Sequence, residues 1–437
     1  MRTSLLSLLV MTLIVAWAGL VAAETSLDFS GQVRVRCELD DRSFDTAATA
    51  RTFALMRTRV NVDATVDSNA HAFIQFQDSR TLGGGDQFDN WQSGTTNDGK
   101  NVDIHQAYIQ LDRIWIDGLG ARAGRFEYTF GNQRVFGSVG WSNVGRSWEG
   151  GLGWYQGNGF KLTGFGLKVQ EDNFEDFNGD FDIYGLHLRF DKASLELFGI
   201  YELDMDTAGT FLGEAIRVAD PDDHVMDRLN FGLYTLRKFR GFDLEINGVY
   251  QTGKVISGPV RIDLQAFMFA GEVGYNFEGE AKARLSAGID YSSGDDNLLD
   301  NDYKGYDNLY YTGHQFRGYM DYFLASEPVG LMDILARGRI NLHPDWTANA
   351  DFHYFTTAQN YVDQADDSET SNLGMEFDVS VSTTSIVGVK AVCGASLFLP
   401  DAAFVRYSLD KEGTAEADDM TNNDPTVWAY SQLIVDF

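Results

Sequence analysis

Arg34 and Arg36, Arg57 and Arg59, and Arg337 and Arg339 form three pairs spaced two residues apart, each flanked by apolar residues, in a chain of net charge -30. A guanidinium is permanently charged and presents its donors in a planar fork that matches a carboxylate, so a row of them in a confined space is anion-recognition chemistry. Two-residue spacing puts both members of a pair on one face of a β-strand, because successive side chains point to opposite faces. In 27–39, Leu27, Phe29, Val33, Val35, Cys37 and Leu39 share one face, and Asp28, Ser30, Gln32, Arg34, Arg36 and Glu38 share the other. One face wants an apolar neighbour and the other wants water.

The same alternation recurs along the chain. Ala54, Met56, Thr58, Val60, Val62, Ala64 and Val66 oppose Arg57, Arg59, Asn61, Asp63 and Thr65. Met332, Ile334, Ala336, Ile340 and Leu342 oppose Asp333, Arg337, Arg339 and Asn341; Leu373, Met375, Phe377, Val379 and Val381 oppose Glu376, Asp378, Ser380 and Ser382. Helical spacing is hard to find beyond the N-terminal segment, and the 45 glycines, 31 phenylalanines and 19 tyrosines fit strands joined by turns. Short turns such as 342–346 and 190–194 alternate with long acidic stretches such as 171–182 and 295–307. Strands of roughly ten residues with that asymmetry predict a closed antiparallel transmembrane β-barrel, with short periplasmic turns and long acidic extracellular loops. Nineteen candidate strands can be drawn, but bacterial barrels have an even number, so about 18 are expected, with 16 possible; 314–323 is the weakest and reads equally as loop.

An arginine facing lipid at the midplane costs roughly 2–4 kcal/mol, and facing a wet lumen it costs little. The three arginine pairs are therefore expected to point inward. A wall of this many strands predicts a lumen wide enough for water, hence a channel, and inward arginines would favour anions. The competing reading is that they brace the wall by pairing with Asp63, Glu245, Asp290 and Glu376 across the lumen.

Residues 1–23 have the layout of a cleaved secretory signal: basic Arg2, an apolar run, and Val21-Ala22-Ala23 before Glu24. Residues 24–437 then read as a single barrel domain, since no linker divides them. The alternating C-terminal strand ending in Phe437 resembles the tail recognised by the barrel assembly machinery. Cys37 and Cys393 are too few for a disulfide framework and are expected as free thiols. Strong acidity speaks against nucleic acid as a partner. No G-x-S-x-G, P-loop or H-E-x-x-H pattern is present, so neither an enzyme nor a cofactor is expected. His105 and His314 read as structural, and the acidic loops lack the spacing of an EF-hand calcium site.

The stretch 124–151, GRFEYTFGNQRVFGSVGWSNVGRSWEGG, resembles the signature of the alginate export family of outer-membrane channels. The matching residues are Gly124, Arg125, Phe130, Gly131, Gln133, Arg134, Gly137, Trp141, Asn143, Gly145, Arg146, Glu149 and Gly150; Glu149 stands where the family more often has Asp. Stretches 57–80, 103–111, 243–253, 289–297 and 306–323 extend the resemblance over most of the chain. It implies an eighteen-stranded, monomeric barrel in outer-membrane lipid, narrowing at a positively charged constriction that passes a uronate polysaccharide or other anionic solute passively. By the resemblance, Arg125, Arg134 and Arg146, with Arg57, Arg59 and Arg80, would line that constriction. A scaffold barrel sheathing an electron-transfer protein, or a less selective general porin, remain the alternatives.

Overall fold

The computed structural model describes residues 25–44, 49–83, 102–171, 180–205, 224–257, 259–297, 300–362, 368–405 and 423–437. The expected signal 1–23 and much of the acidic stretch 171–182 lie outside them.

In chain order the strands are β1 (Thr25–Asp41), β2 (Arg51–Val66), β3 (Ala70–Thr81), β4 (Asp103–Leu111), β5 (Leu119–Phe126), β6 (Trp148–Gly157), β7 (Phe160–Gln170), β8 (Phe181–Phe190) and β9 (Leu195–Asp204). They continue as β10 (His224–Phe239), β11 (Phe242–Ser257), β12 (Val260–Asn276), β13 (Arg284–Ser292), β14 (Asp302–Tyr303), β15 (Leu331–His343), β16 (Trp346–Val362), β17 (Glu369–Thr383), β18 (Val389–Pro400) and β19 (Thr426–Asp436). Each pairs antiparallel with its neighbours in sequence, except β14, a two-residue strand lying parallel to β12 while β13 pairs directly with β15. β1 pairs with both β2 and β19, so eighteen strands close into a ring with no free edge. Closure leaves every wall strand with a partner on both sides, which backbone in lipid requires. The weakest of the nineteen strand candidates, 314–323, is loop, with a 3-10 turn at Gly313–Gln315.

Register converts the alternation into two walls. On β1 the even residues face in and the odd residues face out, leaving Leu27 and Phe29 exposed outside while Arg34 and Arg36 are buried inside. The outer wall continues with Ile74, Phe76, Phe231, Phe267, Ile334, Phe377 and Val379, all exposed. Cys37 and Cys393 are free and exposed; both pair in register with Ser431, from opposite sides of β19. Leu373 departs from its reading, because the register shifts between Phe355 and Thr356 carry it into a buried cluster.

The interior is not the open water column that strand number alone predicts. Segments 127–147, between β5 and β6, and 293–297 with 300–330, between β13 and β15, fold into the lumen from the loop end and pack there. Phe130, Val135 and Phe136 of the first, with Tyr306, Leu309 and Tyr310 of the second, bury against inward Phe126, Trp148, Phe165, Ile183, Phe198 and Ile200. Met320 and Phe323 bury against inward Phe355, Phe398 and Trp428 on the other side. Each fully buried aromatic contributes about 1.5–3 kcal/mol, enough together to hold both loops inside. The two segments also join through backbone bonds, Gly137 N–H to Tyr310 O at 2.8 Å and Thr312 N–H to Gln133 O at 2.9 Å. Gly137 has no room for a side chain, since a Cβ would meet the Thr312 hydroxyl.

Candidate functional site

The lumenal arginines of β1 and β2 form one compact group. Arg34 and Arg57 are direct register partners, and Arg36 and Arg59 flank them diagonally. Their donors go mainly to the inner face of segment 127–147. Arg34 donates to Gly140 O at 2.9 Å and Ser142 O at 2.8 Å, and Arg57 donates to the same two carbonyls at 3.2 and 3.1 Å. Arg36 donates to Trp141 O at 2.8 Å, stacks over the Trp141 ring at 4.0 Å and pairs with Glu38 at 2.6 Å. Arg59 reaches Val144 O at 3.3 Å and pairs with Glu127 at 3.1 Å, and Glu127 also bonds His105 at 2.8 Å. Burial acts to raise the Glu127 carboxyl, but His105 and the Arg59 guanidinium outweigh it and hold it below the ordinary carboxylate range.

Two further arginines fasten the loops. Arg134 pairs with Asp290 of β13, as does Arg317 at 3.3 Å, and Arg134 also lies over the Phe316 ring at 4.0 Å. Arg146 donates to Tyr310 O at 2.5 Å and Tyr311 O at 3.3 Å, tying one loop to the other. Arg337 lies inward on β15, pairing with Glu272 at 3.2 Å and Asp351 at 3.6 Å and donating to Phe316 O at 3.2 Å. Arg339, on the same face, is exposed and makes no ion pair among the described residues.

Arg80 and Arg125 correct the sequence expectation. Arg80 pairs in register with Met56 and shares the outward face of β3 with Ile74 and Phe76; it is held by Asp78 at 2.7 Å. Arg125 shares the outward face of β5 with Ala121 and Ala123 and pairs with Glu149 of β6 at 3.3 Å. Both stand near the loop end of their own strands. The resemblance located the motif but carried no information on strand parity.

Of the four proposed acidic partners, Asp290 alone pairs with arginine. Glu376 accepts from Met320 N–H at 2.8 Å, Glu245 from the Asn132 amide at 2.5 Å, and Asp63 lies 3.8 Å from His71. The carboxylates brace loops more than they neutralise the β1–β2 arginines. His314 stacks on Trp141 with ring centroids 4.0 Å apart and bonds Asp321 at 3.0 Å, a structural role within the loop packing. In 295–307, Asp295 accepts from Asn297 and Lys304 N–H, and Asp307 accepts from Leu309 N–H and pairs with Arg228 of β10. Among the described residues no three of His, Cys, Asp or Glu are grouped to hold a metal ion.

Two features escaped the sequence reading. Arg122, Lys161 and Arg189 face the lumen at the turn end, Lys161 opposite Arg189 in register and Arg122 over the Tyr108 ring at 4.2 Å. Their parity was available in 181–190, where His187 and Arg189 alternate with Leu186 and Leu188. The other feature is a buried acidic patch on β15–β17: Asp333, Glu376 and Asp378 lie around His353, which bonds Asp333 at 2.7 Å. Nothing local in sequence aligns β15 with β16 and β17.

An antiparallel ring of eighteen strands, apolar outside and lined inside by charged residues and inward loops, defines an outer-membrane channel of the porin kind. The chain belongs to the alginate export family, which matches residues 25–407. Among solved structures it resembles OccK9 (OpdG) of Pseudomonas aeruginosa, with 12% identity and a TM-score of 0.58, covering 95% of this chain and 98% of that one. A BenF-like porin from Pseudomonas fluorescens Pf-5 gives 10% identity and a TM-score of 0.57 over 94% and 98%. OccK2 (OpdF) of Pseudomonas aeruginosa, solved in complex with glucuronate, gives 10% identity and 0.52 over 94% and 96%. No curated protein matches the chain. Family and fold are those of transport channels, and the protein is an integral outer-membrane channel.

Proposed function

We propose that the channel passes anionic solutes passively, with uronate-bearing sugars as the favoured class. The observation that carries this reading is the group of four guanidiniums on the lumenal face of β1 and β2, in which Arg34 and Arg57 have no carboxylate within 4 Å among the described residues. Positive charge concentrated in a narrow, low-dielectric passage raises the local concentration of anions. Arg122, Lys161 and Arg189 extend the basic lining toward the turn end, so an anion entering there meets cations before it reaches the constriction. The glucuronate in the related OccK2 structure is compatible with this class of cargo. The family's polysaccharide is the longest member of the class.

A less selective porin is the second reading, favoured by the inward acidic group of Asp333, Asp351, Glu376 and Asp378 on β15–β17. Reversal potentials across a salt gradient, with the purified protein in planar bilayers, separate the two. Anion preference that glucuronate reduces by blocking supports the first; equal permeability or cation preference overturns it. The scaffold reading needs a free lumen for a second protein, and the inward loops occupy that volume. Sequestration of residues 1–23 as a signal, recognition of Phe437 by assembly machinery and a monomeric state belong to the same proposal.

A further inference from the structure

The Arg34–Arg57 pair is short of negative charge. Arg34, Arg36, Arg57 and Arg59 supply four cations within one patch, and among the described residues the carboxylates within 4 Å of them are Glu38 and Glu127. Arg34 and Arg57 are 3% and 5% exposed and oppose one another directly, yet their hydrogen-bond acceptors are neutral, backbone carbonyls with the amide oxygens of Gln32 and Asn143. Nε of each has no hydrogen-bond partner. Two like charges desolvated together without a counter-charge are costly, and carbonyl dipoles offset that only in part.

What covers the pair is a strip of carbonyl oxygens. Gly140, Trp141, Ser142 and Val144 all point C=O groups at the four guanidiniums, and Asn143 adds its amide oxygen at 3.3 Å from Arg34. The strip lies where oxyanions would lie. It is bounded by left-handed backbone on both sides, Val139 at φ 52 and Gly145 at φ 84. Arg134 to Asp290 and Arg146 to Tyr310 O hold segment 127–147 from outside the strip. The strip itself is tied to the wall by neutral hydrogen bonds, Asn143 amide to Met56 O at 3.1 Å, Gln77 amide to Val144 O at 2.9 Å and Ser79 hydroxyl to Asn143 O at 2.6 Å, so breaking these shifts it without the loop leaving the lumen.

We propose that residues 140–144 are a built-in competitor seated in a carboxylate-binding site formed by Arg34 and Arg57, and that a uronate chain displaces them on entry. This rests on the anion-passage reading above. A carboxylate meets the guanidinium fork with two oxygens and a full opposite charge, where a carbonyl offers one neutral oxygen, so carboxylates outcompete carbonyls for the same donors. Neutral sugars offer no such gain and leave the strip in place. The contact thus makes the constriction open selectively to carboxylate-bearing cargo.

Thiol accessibility tests this in the full-length channel, with Cys37→Ser and Cys393→Ser as background. Ser142→Cys reports on the strip, and Ser79→Cys on the wall beneath it, where the Ser79 hydroxyl donates to Asn143 O at 2.6 Å. Ser385→Cys, on an exposed turn, is the reference. Heat-modifiable gel mobility verifies that each variant is a folded barrel. A trimer of glucuronate should raise modification of the first two thiols by a small neutral thiosulfonate about tenfold or more, as when a state populated at roughly 10% or less becomes dominant. Maltotriose should not, and the reference should not respond to either sugar. Unchanged or slower modification with the uronate, in channels that remain anion-selective and blocked by it, overturns the competitor while leaving the anion-passage reading intact. Channels without anion preference overturn both.

Discussion

Replacing Arg57 by Gln removes one lumenal charge, whereas Arg125→Gln and Arg80→Gln remove charges from the outer face. The first should lower the anion-to-cation permeability ratio about two- to fivefold, the effect of roughly 0.5–1 kcal/mol of lumenal potential. The other two should leave it unchanged, although all three residues fall in the family-matched stretches. Bilayer reversal potentials check this, and an equal effect of all three would mean that strand parity does not decide function. Glu127 supplies a pH response. Its carboxyl is held below the ordinary range by His105 and Arg59, so the staple it makes is complete above the unfolded carboxylate pKa of about 4.3 and is lost as pH falls through the depressed folded value. Single-channel current should stay quiet from neutral pH to about 5 and become noisy below about 4. Noise that begins near pH 6 would assign the transition to another group.

At the scale of elements, the lumenal loops depend on a few buried attachments to the wall. Asp290 serves both Arg134 and Arg317, each loop contributing one arginine, and all three side chains are at most 8% exposed. Asp290→Asn leaves two buried guanidiniums with no counter-charge, and breaking a buried pair in this way costs about 3–5 kcal/mol. The loops should then detach before the wall does. Limited proteolysis should cut within 127–147 or 293–330 while the heat-modifiable barrel band persists. Loss of the barrel band together with the loops would show that wall and loops fold as one unit. Gly318 is a second such attachment: its φ is 77, and a Cβ there would sit 2.5 Å from the Glu376 carboxylate that holds Met320.

For the whole molecule, the wall and its contents are separable in physical terms. The wall is stable because its apolar face meets lipid, so Phe377→Arg, outward near the middle of β17, should cost about 2–4 kcal/mol in equilibrium unfolding from lipid vesicles. A cost near zero would move that residue out of the hydrocarbon band. The contents limit flow: excising 132–145 and bridging the gap with glycines should raise conductance severalfold and weaken selectivity together, because the excised segment both fills the lumen and stands on the arginines. Raised conductance with selectivity intact would shift the selective step to the turn-end cations Arg122, Lys161 and Arg189.

Period-two alternation under a lipid constraint was sufficient to determine the barrel, the inward direction of Arg34, Arg36, Arg57, Arg59, Arg337 and Arg339, and the apolar outer wall. These follow from local geometry, since parity within a strand needs no knowledge of its partners. Arg80 and Arg125 were misread because a motif match gives position in the chain without giving the face. The packed lumen was not legible either. Phe130, Phe136, Tyr310 and Phe323 lie in irregular segments, and their burial depends on inward aromatics of β5–β9 and β16–β19, far away in sequence. Which carbonyls meet Arg34 and Arg57, and which carboxylate clamps both loops, was decided only when closure of the ring brought β1, β13 and the two loops into one cross-section.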